Sequence, residues 1–430
     1  MDPLLLGLLI VSLVLVMGGF QVAFALGACA FFYLIVNDFP LSLAAQEMAL
    51  SLDKFTFMAI PLFMLAGMLM NLGGITPRIF RFANLAVGRI PGGLGHVNIA
   101  ASLIFAGMSG SVLADVAGLG PMQLKTMKEN GYKTDFAIGI TLASSAIGPI
   151  LPPSVPMVLF AVIAEVSVVG MFLGGVLPAF LIAGLLMCYV YIVGKREGYF
   201  TTAWGGWRAL AGAFVVALPA LLTPVIIVGG MTFGVFSPTE AAAAAVLYAF
   251  FIAAVIYRDL PWREVPQLFR SVAISATKLL FVITTALLFG WVLTVGQMTQ
   301  DVASYLGETF ESGWLFLLVL IIVLLVLGAV IENAILLLIL APMLLPIAVS
   351  NYGFDPIHLG VVMVFAIMLG QYTPPMGLSL FIIRDLTGLS LVRVSVAVLP
   401  FLIPLIAALL IMAYVPALTL WLPHLAGFGQ

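Results

Sequence analysis

Charge is what this chain has least of. Among its 430 residues, 16 are Lys or Arg and 18 are Asp or Glu, so 8% are charged and 63% hydrophobic. Mean hydropathy is +1.26. Soluble domains carry about 25% charged residues, so a water-soluble protein is excluded and a polytopic membrane protein is indicated. Cysteine is nearly absent: Cys29 and Cys188 lie in apolar runs and make no disulfide framework. Three scattered histidines, His96, His358 and His424, form no metal cluster with them. No G-x-x-x-x-G-K-[ST] string exists, so the chain does not hydrolyse nucleotide itself. A net charge of −2 with dispersed bases leaves no nucleic-acid footprint. Neither a GxGD-type aspartate nor HExxH is present, and no His is placed to activate Ser109 or Ser111, which argues against an intramembrane enzyme.

What is present is apolar length. Leu4–Val36, Phe55–Gly73, Val168–Gly194, Ala209–Val228, Ala241–Tyr257, Leu279–Val295 and Val396–Leu422 reach or approach the ~20 residues that span a bilayer. The first run lacks a basic leader and is too long for a cleavable signal peptide. It reads either as one long tilted helix or as two short ones broken at Gly18-Gly19.

Glycine and proline then reveal an internal repeat. Gly107, Pro121, Met122 and Gly139 recur 221 residues later as Gly328, Pro342, Met343 and Gly360. Gly148 and Pro152-Pro153 return after 222 as Gly370 and Pro374-Pro375, and Gly67, Gly73 and Thr76 after 223 as Gly290, Gly296 and Thr299. Basic residues favour the cytoplasmic side. Placing every basic block there makes 15 of 16 consistent, with Lys54 the exception. Equivalent loops then lie on opposite sides: Thr76–Pro91 carries three Arg, whereas Thr299–Ser312 carries Asp301, Glu308, Glu311 and no base. The copies are therefore expected to be inverted.

The same charges show which apolar stretches fail to cross. The chain from Gly92 through Met108-Ser109-Gly110-Ser111 to Lys125 begins and ends inside, as a re-entrant hairpin does. Its twin leaves Glu311 outside, turns at 328–333 and returns to Asp355 outside. Each hairpin precedes a spanning helix interrupted by Pro-Pro, at 148–153 and at 370–375. Such prolines remove N–H donors and free carbonyls that cannot stay unsatisfied in hydrocarbon. Either a kink repaired by nearby hydroxyls or a sodium site follows, and two equivalent breaks facing two Gly/Ser-rich tips favour sodium. The expected first site joins Ser109, Ser111, Gly148, Leu151 and Pro152; the second joins Gly328, Gly370, Thr373 and Met376. Two or more Na⁺ ions and no organic cofactor are expected.

The strings GMSGSVLADVAGLG, ASSAIGPILPPSVPMVLF, FSPTEAAAAAVLYA and GQYTPPMGLSLFI resemble the large membrane subunit of TRAP (tripartite ATP-independent periplasmic) transporters, the DctM-like family, over essentially the whole chain. That resemblance implies an elevator-type, Na⁺-driven importer in the bacterial inner membrane. It also implies a small four-helix membrane subunit, expected as a separate polypeptide, and a soluble periplasmic protein that delivers a small organic anion. In the family the sodium ligands lie at the hairpin tips and helix breaks. This chain departs at Ser379, where Asn is frequent, at Glu332, where Asp is common, and at the charged pair Arg384-Asp385. These departures bear on substrate choice more than on mechanism. The competing function is a self-sufficient Na⁺/dicarboxylate symporter or an anion-efflux permease, which would need no delivery protein.

Substrate candidates are Ser154, Glu332, Asn333, Ser379 and Arg384; coupling candidates are the acids Asp115 and Glu240. Arg384 also reads as a side chain snorkelling beside Asp385, and Ser237-Pro-Thr-Glu240 as a helix capping box. The expected organisation is an all-α protein in five parts. Residues 1–91 are scaffold helices and an interfacial arm, and 92–166 the first transport half. Residues 167–312 supply scaffold and a second arm, 313–394 the inverted transport half, and 395–430 a last scaffold helix.

Overall fold

The computed structural model describes residues 2–373 and 377–428, and among them every regular element is helical. Hydrocarbon offers no water to backbone N–H and C=O groups, so a spanning chain must pair them within itself. Seven described helices are long and apolar enough to cross a membrane, the first over Phe55–Leu72 and the last over Leu391–Tyr414. Large apolar side chains such as Phe233, Leu247 and Val392 stand exposed on the flanks, where lipid covers them.

The first apolar run is two helices, Pro3–Met17 and Val22–Val36, packed on each other. The turn between them uses Gly19 at φ +89°, a left-handed conformation that glycine adopts without a Cβ clash. At ~1.5 Å per residue each is about 22 Å long.

The repeat reaches well beyond its sequence signature. Leu41–Leu52 and Phe55–Leu72 together match the single helix Val265–Val295. The amphipathic arms Ile75–Val87 and Met298–Thr309 begin 223 residues apart, as do the second halves of the broken helices, Val155–Ile163 and Leu378–Thr387. Backbone angles repeat too. Gly73 and Gly296 close their helices at φ −78° and −79°, and the next residues, Gly74 and Gln297, turn left-handed at φ 71° and 58°. The leading helices are exchanged between copies: Val22–Val36 packs on Val265–Val295, and Pro238–Phe251 packs on Ala59–Leu72. This is an inverted repeat folded about a pseudo-two-fold axis.

At the centre lie the first halves of the broken helices, Thr134–Ser145 and Pro356–Gly370. Phe136 to Ser145 and Ile357 to Gly370 are buried without exception, as expected of helices apolar on all sides. Each fits through a glycine against the other copy: Gly139 against Ala397 and Phe401, Gly360 against Phe160 and Met171. At the basic end, Arg78 pairs with Asp259 at 2.6 Å, Arg393 with Asp135 at 2.9 Å, and Lys133 with Glu197. Lys54, the one base assigned outside, pairs with Glu165 at 3.1 Å. Exposed pairs of this kind contribute at most ~1 kcal/mol each; they mark the two faces more than they hold the fold.

Glycine spacing makes the packing testable within one helix, Val168–Glu197. A Cβ on Gly194 would collide with the backbone of Gly92 and Pro91, whereas one on Gly184 meets nothing within 4 Å. Gly194→Ala should lower stability by about 1–3 kcal/mol through overpacking, and Gly184→Ala should not. Thermal unfolding of the purified variants reads the difference; equal behaviour would contradict the packing.

Candidate functional site

The first hairpin rises through Gly93–Ser109, turns at Gly110 and descends through Val112–Gly118 and Gly120–Glu129. Gly110 is left-handed at φ 59° and lies against the Pro153 carbonyl, leaving no room for a side chain. Ser111 caps the descending helix, its Oγ accepting from Ala114 N at 3.5 Å. Across from it, a Cβ at Gly148 would lie 3.4 Å from the Ser111 carbonyl, and one at Gly107 3.7 Å from Leu151 Cδ2. Tip and break are thus joined, and Ser109, Ser111, Gly148, Leu151 and Pro152 fall in one neighbourhood, with Pro152 buried.

The second hairpin, Gly313–Gly328 and Asn333–Tyr352, repeats this contact in a simpler form. Gly328 and Gly370 stand back to back: a Cβ on Gly328 would be 3.3 Å from Gly370 Cα, and one on Gly370 would be 2.6 Å from Gly328 Cα. Thr373 Oγ1 donates to the Gly370 carbonyl at 2.7 Å, which leaves its lone pairs free. Met376 and the preceding Pro374-Pro375 lie outside the described residues.

Between the two tips is a cavity of about 200 Å³. Gly110, Ser111 and Val112 face it from the first tip, and Glu332, Asn333 and Ala334 from the second. Pro149, Val155 and Pro156 come from the first break, Met368 and Gln371 from the second, and Met64 and Leu279 from flanking helices. Val112, Asn333 and Val155 are each the first residue of a helix. Three helix N-termini, with their partial positive charge, therefore border one space, although Ser111 and Ser154 each cap one N–H of two of them. No Lys or Arg is among the described residues lining it.

Of the side-chain oxygens buried without a hydrogen-bond partner, Asn333 Oδ1 belongs to a residue lining this space; Ser109 Oγ at the first tip, Asp115 Oδ1 behind it and Ser379 Oγ beyond the second break belong to residues that do not line it. Such groups cost ~1–3 kcal/mol each if nothing pairs with them. Oxygen atoms of this kind are the ligand type that hard cations take.

Glu332 and Asn333 stand in the cavity, whereas Ser154, Ser379 and Arg384 do not line it. Ser154 is fully buried and spends its hydroxyl on structure, donating to Pro149 O at 2.5 Å and accepting from Met157 N at 3.3 Å. Arg384 is exposed, 2.8 Å from Asp385 and 5.0 Å above the Phe381 ring. The structure keeps it out of the cavity because the ten-residue helix Leu378–Thr387 carries it away from the break. Asp115 is 2% exposed in the first turn behind the first tip. Glu240 closes the capping box, its Oε2 accepting from Ser237 N at 2.8 Å, so its carboxylate serves its own helix rather than the tips.

Sequence reasoning missed the link between the copies. Ser145 Oγ and Tyr372 Oη meet at 3.1 Å, tying the two breaks together in a fully buried setting. Below it, Asn98, Thr141, Ser144 and Ser102 form a buried chain of hydrogen bonds. Polar residues in otherwise apolar central helices were the available signal.

Inverted repeats, opposed hairpins and broken helices around a mid-membrane cavity define a secondary-transporter fold. The fold is shared with the Alcanivorax borkumensis YdaH transporter, with a TM-score of 0.56 at 16% identity, over 82% of this chain and 84% of that one. Residues 9–418 match the family described as Tripartite ATP-independent periplasmic transporter, DctM component, and the chain belongs to that family. It is 41% identical to the sialic acid TRAP transporter large permease protein SiaM of Vibrio cholerae, over 97% of this chain and 98% of that one. It is 40% identical to the C4-dicarboxylate TRAP transporter large permease protein DctM of Pseudomonas aeruginosa, over 88% of each. The protein is a multi-pass inner-membrane permease, not an enzyme, of a family that works with a small membrane subunit and a periplasmic binding protein.

Cavity membership separates the candidates. Asn333→Ala should raise the half-saturating substrate concentration roughly 5- to 150-fold, the loss of one buried polar partner. Arg384→Gln should leave it unchanged. Uptake titrations in proteoliposomes containing the whole complex measure both, and the reverse order would contradict the placement of the cavity.

Proposed function

We propose that this permease imports a small organic anion together with sodium ions, by moving its hairpins and broken helices as one body against the flanking helices. The observation that carries this reading is the cavity between the tips: three helix N-termini border it, Asn333 Oδ1 in it lacks a partner, and among the described residues its one charged side chain is Glu332 and none is cationic. An anion at membrane depth needs positive charge nearby. Helix ends supply part of it, and cations at the two tip-to-break contacts would supply the rest. A volume of about 200 Å³ suits a small acid better than a drug-sized ligand, whose pockets run to ~300–1,000 Å³.

In this account Ser109, Ser111, Gly148, Leu151 and Pro152 hold one sodium, and Gly328, Gly370, Thr373 and Met376 another. Asn333 and Glu332 face the substrate, and Ser379 lies on the helix Leu378–Thr387, which packs on Val112–Gly118 of the first hairpin. The moving body includes the helices Val168–Glu197 and Leu391–Tyr414, which pack on the broken helices; the division expected from sequence had assigned them to the scaffold. Two contacts with the flanking helices are made through glycine, Gly67 against Ser109 and Gly107 against Pro224, while Phe63 meets the Phe172 ring at 6.1 Å. The substrate class, a dicarboxylate or sugar acid, follows the relatives' named substrates. Delivery by a periplasmic binding protein and anchoring by a separate small four-helix subunit complete the reading and set it apart from a self-sufficient symporter.

Thr373→Val keeps shape and β-branching while removing one oxygen, and Ser109→Ala does the same at the first site. Each should raise the Na⁺ concentration for half-maximal uptake roughly 5- to 150-fold, equivalent to about 1–3 kcal/mol, with normal expression. Sodium titration of uptake, with choline as replacement, provides the test. An unshifted Na⁺ dependence in both variants, or full uptake in choline, would overturn the assignment.

A further inference from the structure

A second gap lies away from the tips, where the first hairpin and the start of the first broken helix meet the end of the second, at their basic ends. It measures about 470 Å³. Its apolar walls include Leu124, Leu386 and Leu389, and Lys125, Lys128 and Arg393 stand around it. The acids nearby are partly engaged: Glu129 lies 4.0 Å from Lys125, and Asp135 holds Arg393 Nε at 2.9 Å. No ion pair is found for Lys128 among the described residues, and its side chain is directed to the gap it lines.

The inverted repeat gives this gap a counterpart on the other face. There the start of the second broken helix meets the end of the first, at Ile357 with Val166 and Ser167. That position is covered by the chain's own C-terminal segment. The helix Ala417–Leu425 packs on Val168–Glu197, Thr419 Oγ1 meets His358 Nδ1 at 2.7 Å, and Phe428 reaches Gly170. Arg393 and Asp135 occupy the repeat positions of Gly170 and Pro356. The outer face thus has an apolar joint closed by an aromatic residue, and the inner face a wider joint edged with cations and closed by no described segment.

We propose that this inner groove binds the phosphate headgroup of an anionic phospholipid from the cytoplasmic leaflet, with the upper acyl chains against Leu124, Leu386 and Leu389. The basic blocks set this end at the cytoplasmic surface, where anionic lipids concentrate and each nearby Lys or Arg adds to attraction. Apolar walls beneath a cationic rim match a lipid better than free phosphate, which would leave the walls unfilled. The lipid takes on the inside the place that Phe428 and its helix take on the outside, joining the ends of the two broken helices.

Native mass spectrometry of the whole purified complex tests this with phosphatidylglycerol, phosphatidylcholine and inorganic phosphate offered in turn. Wild type should retain phosphatidylglycerol, retain little phosphatidylcholine, and lose no phosphatidylglycerol to added phosphate. Lys125→Gln with Lys128→Gln should weaken phosphatidylglycerol retention roughly 10- to 30-fold. Lys195→Gln with Arg196→Gln, the same charge change on the same side, should leave it unchanged. Equal loss in both double variants, no loss in either, retention of phosphatidylcholine to the same extent, or displacement by phosphate would each overturn the proposal. Both lysines are exposed, 75% for Lys125, so the variants keep the fold.

Discussion

A peptide group inside a bilayer has nowhere to turn for a hydrogen bond except to its own chain or to something the chain holds. This protein interrupts two of its central helices under that constraint. At 146–154 and again after Gly370 the helical ladder stops in surroundings where Ser145, Gly148 and Gly370 are buried. The neighbouring elements are arranged around repairing these interruptions. Gly110 presses to the Pro153 carbonyl, Ser154 takes the Pro149 carbonyl, Thr373 takes that of Gly370, and Gly328 brings its hairpin to van der Waals contact with the break. Ser109 Oγ and Asn333 Oδ1 at the tips remain without a partner, and with the carbonyls freed at the breaks they are the chemical basis for the proposal that these sites bind cations.

The repeat sets two such solutions on either side of one cavity. Each tip meets its own break, while the two breaks are tied across the copies by Ser145 and Tyr372. Opposed half-helices then aim their N-termini at a common space. The flanking helices contribute little more than Met64 and Leu279 to it.

Much of this was legible in the sequence because glycine and proline mark backbone geometry directly. Gly148 with Pro152-Pro153 and Gly370 with Pro374-Pro375 marked the breaks, and the charge swap between equivalent loops gave the inversion. Less legible was anything set by packing between distant segments. Gln371, Met368, Met64 and Leu279 line the cavity, yet their residue types carry no site chemistry of their own. The match of Leu41–Leu52 and Phe55–Leu72 to the single helix Val265–Val295 was hidden as well, because one copy is interrupted at Asp53-Lys54 and the other continuous. Arg384 was legible in both of its readings, as a substrate candidate and as a side chain beside Asp385, and the structure puts it 2.8 Å from Asp385 and outside the cavity lining.

The central claim is that the tip-to-break contacts hold cations, and equilibrium binding of radioactive sodium to the purified permease in nanodiscs, without substrate, addresses it most directly. The account predicts saturable binding of more than one ion per chain, not displaced by equimolar potassium. Binding that is absent, or no greater than to empty nanodiscs, would contradict it.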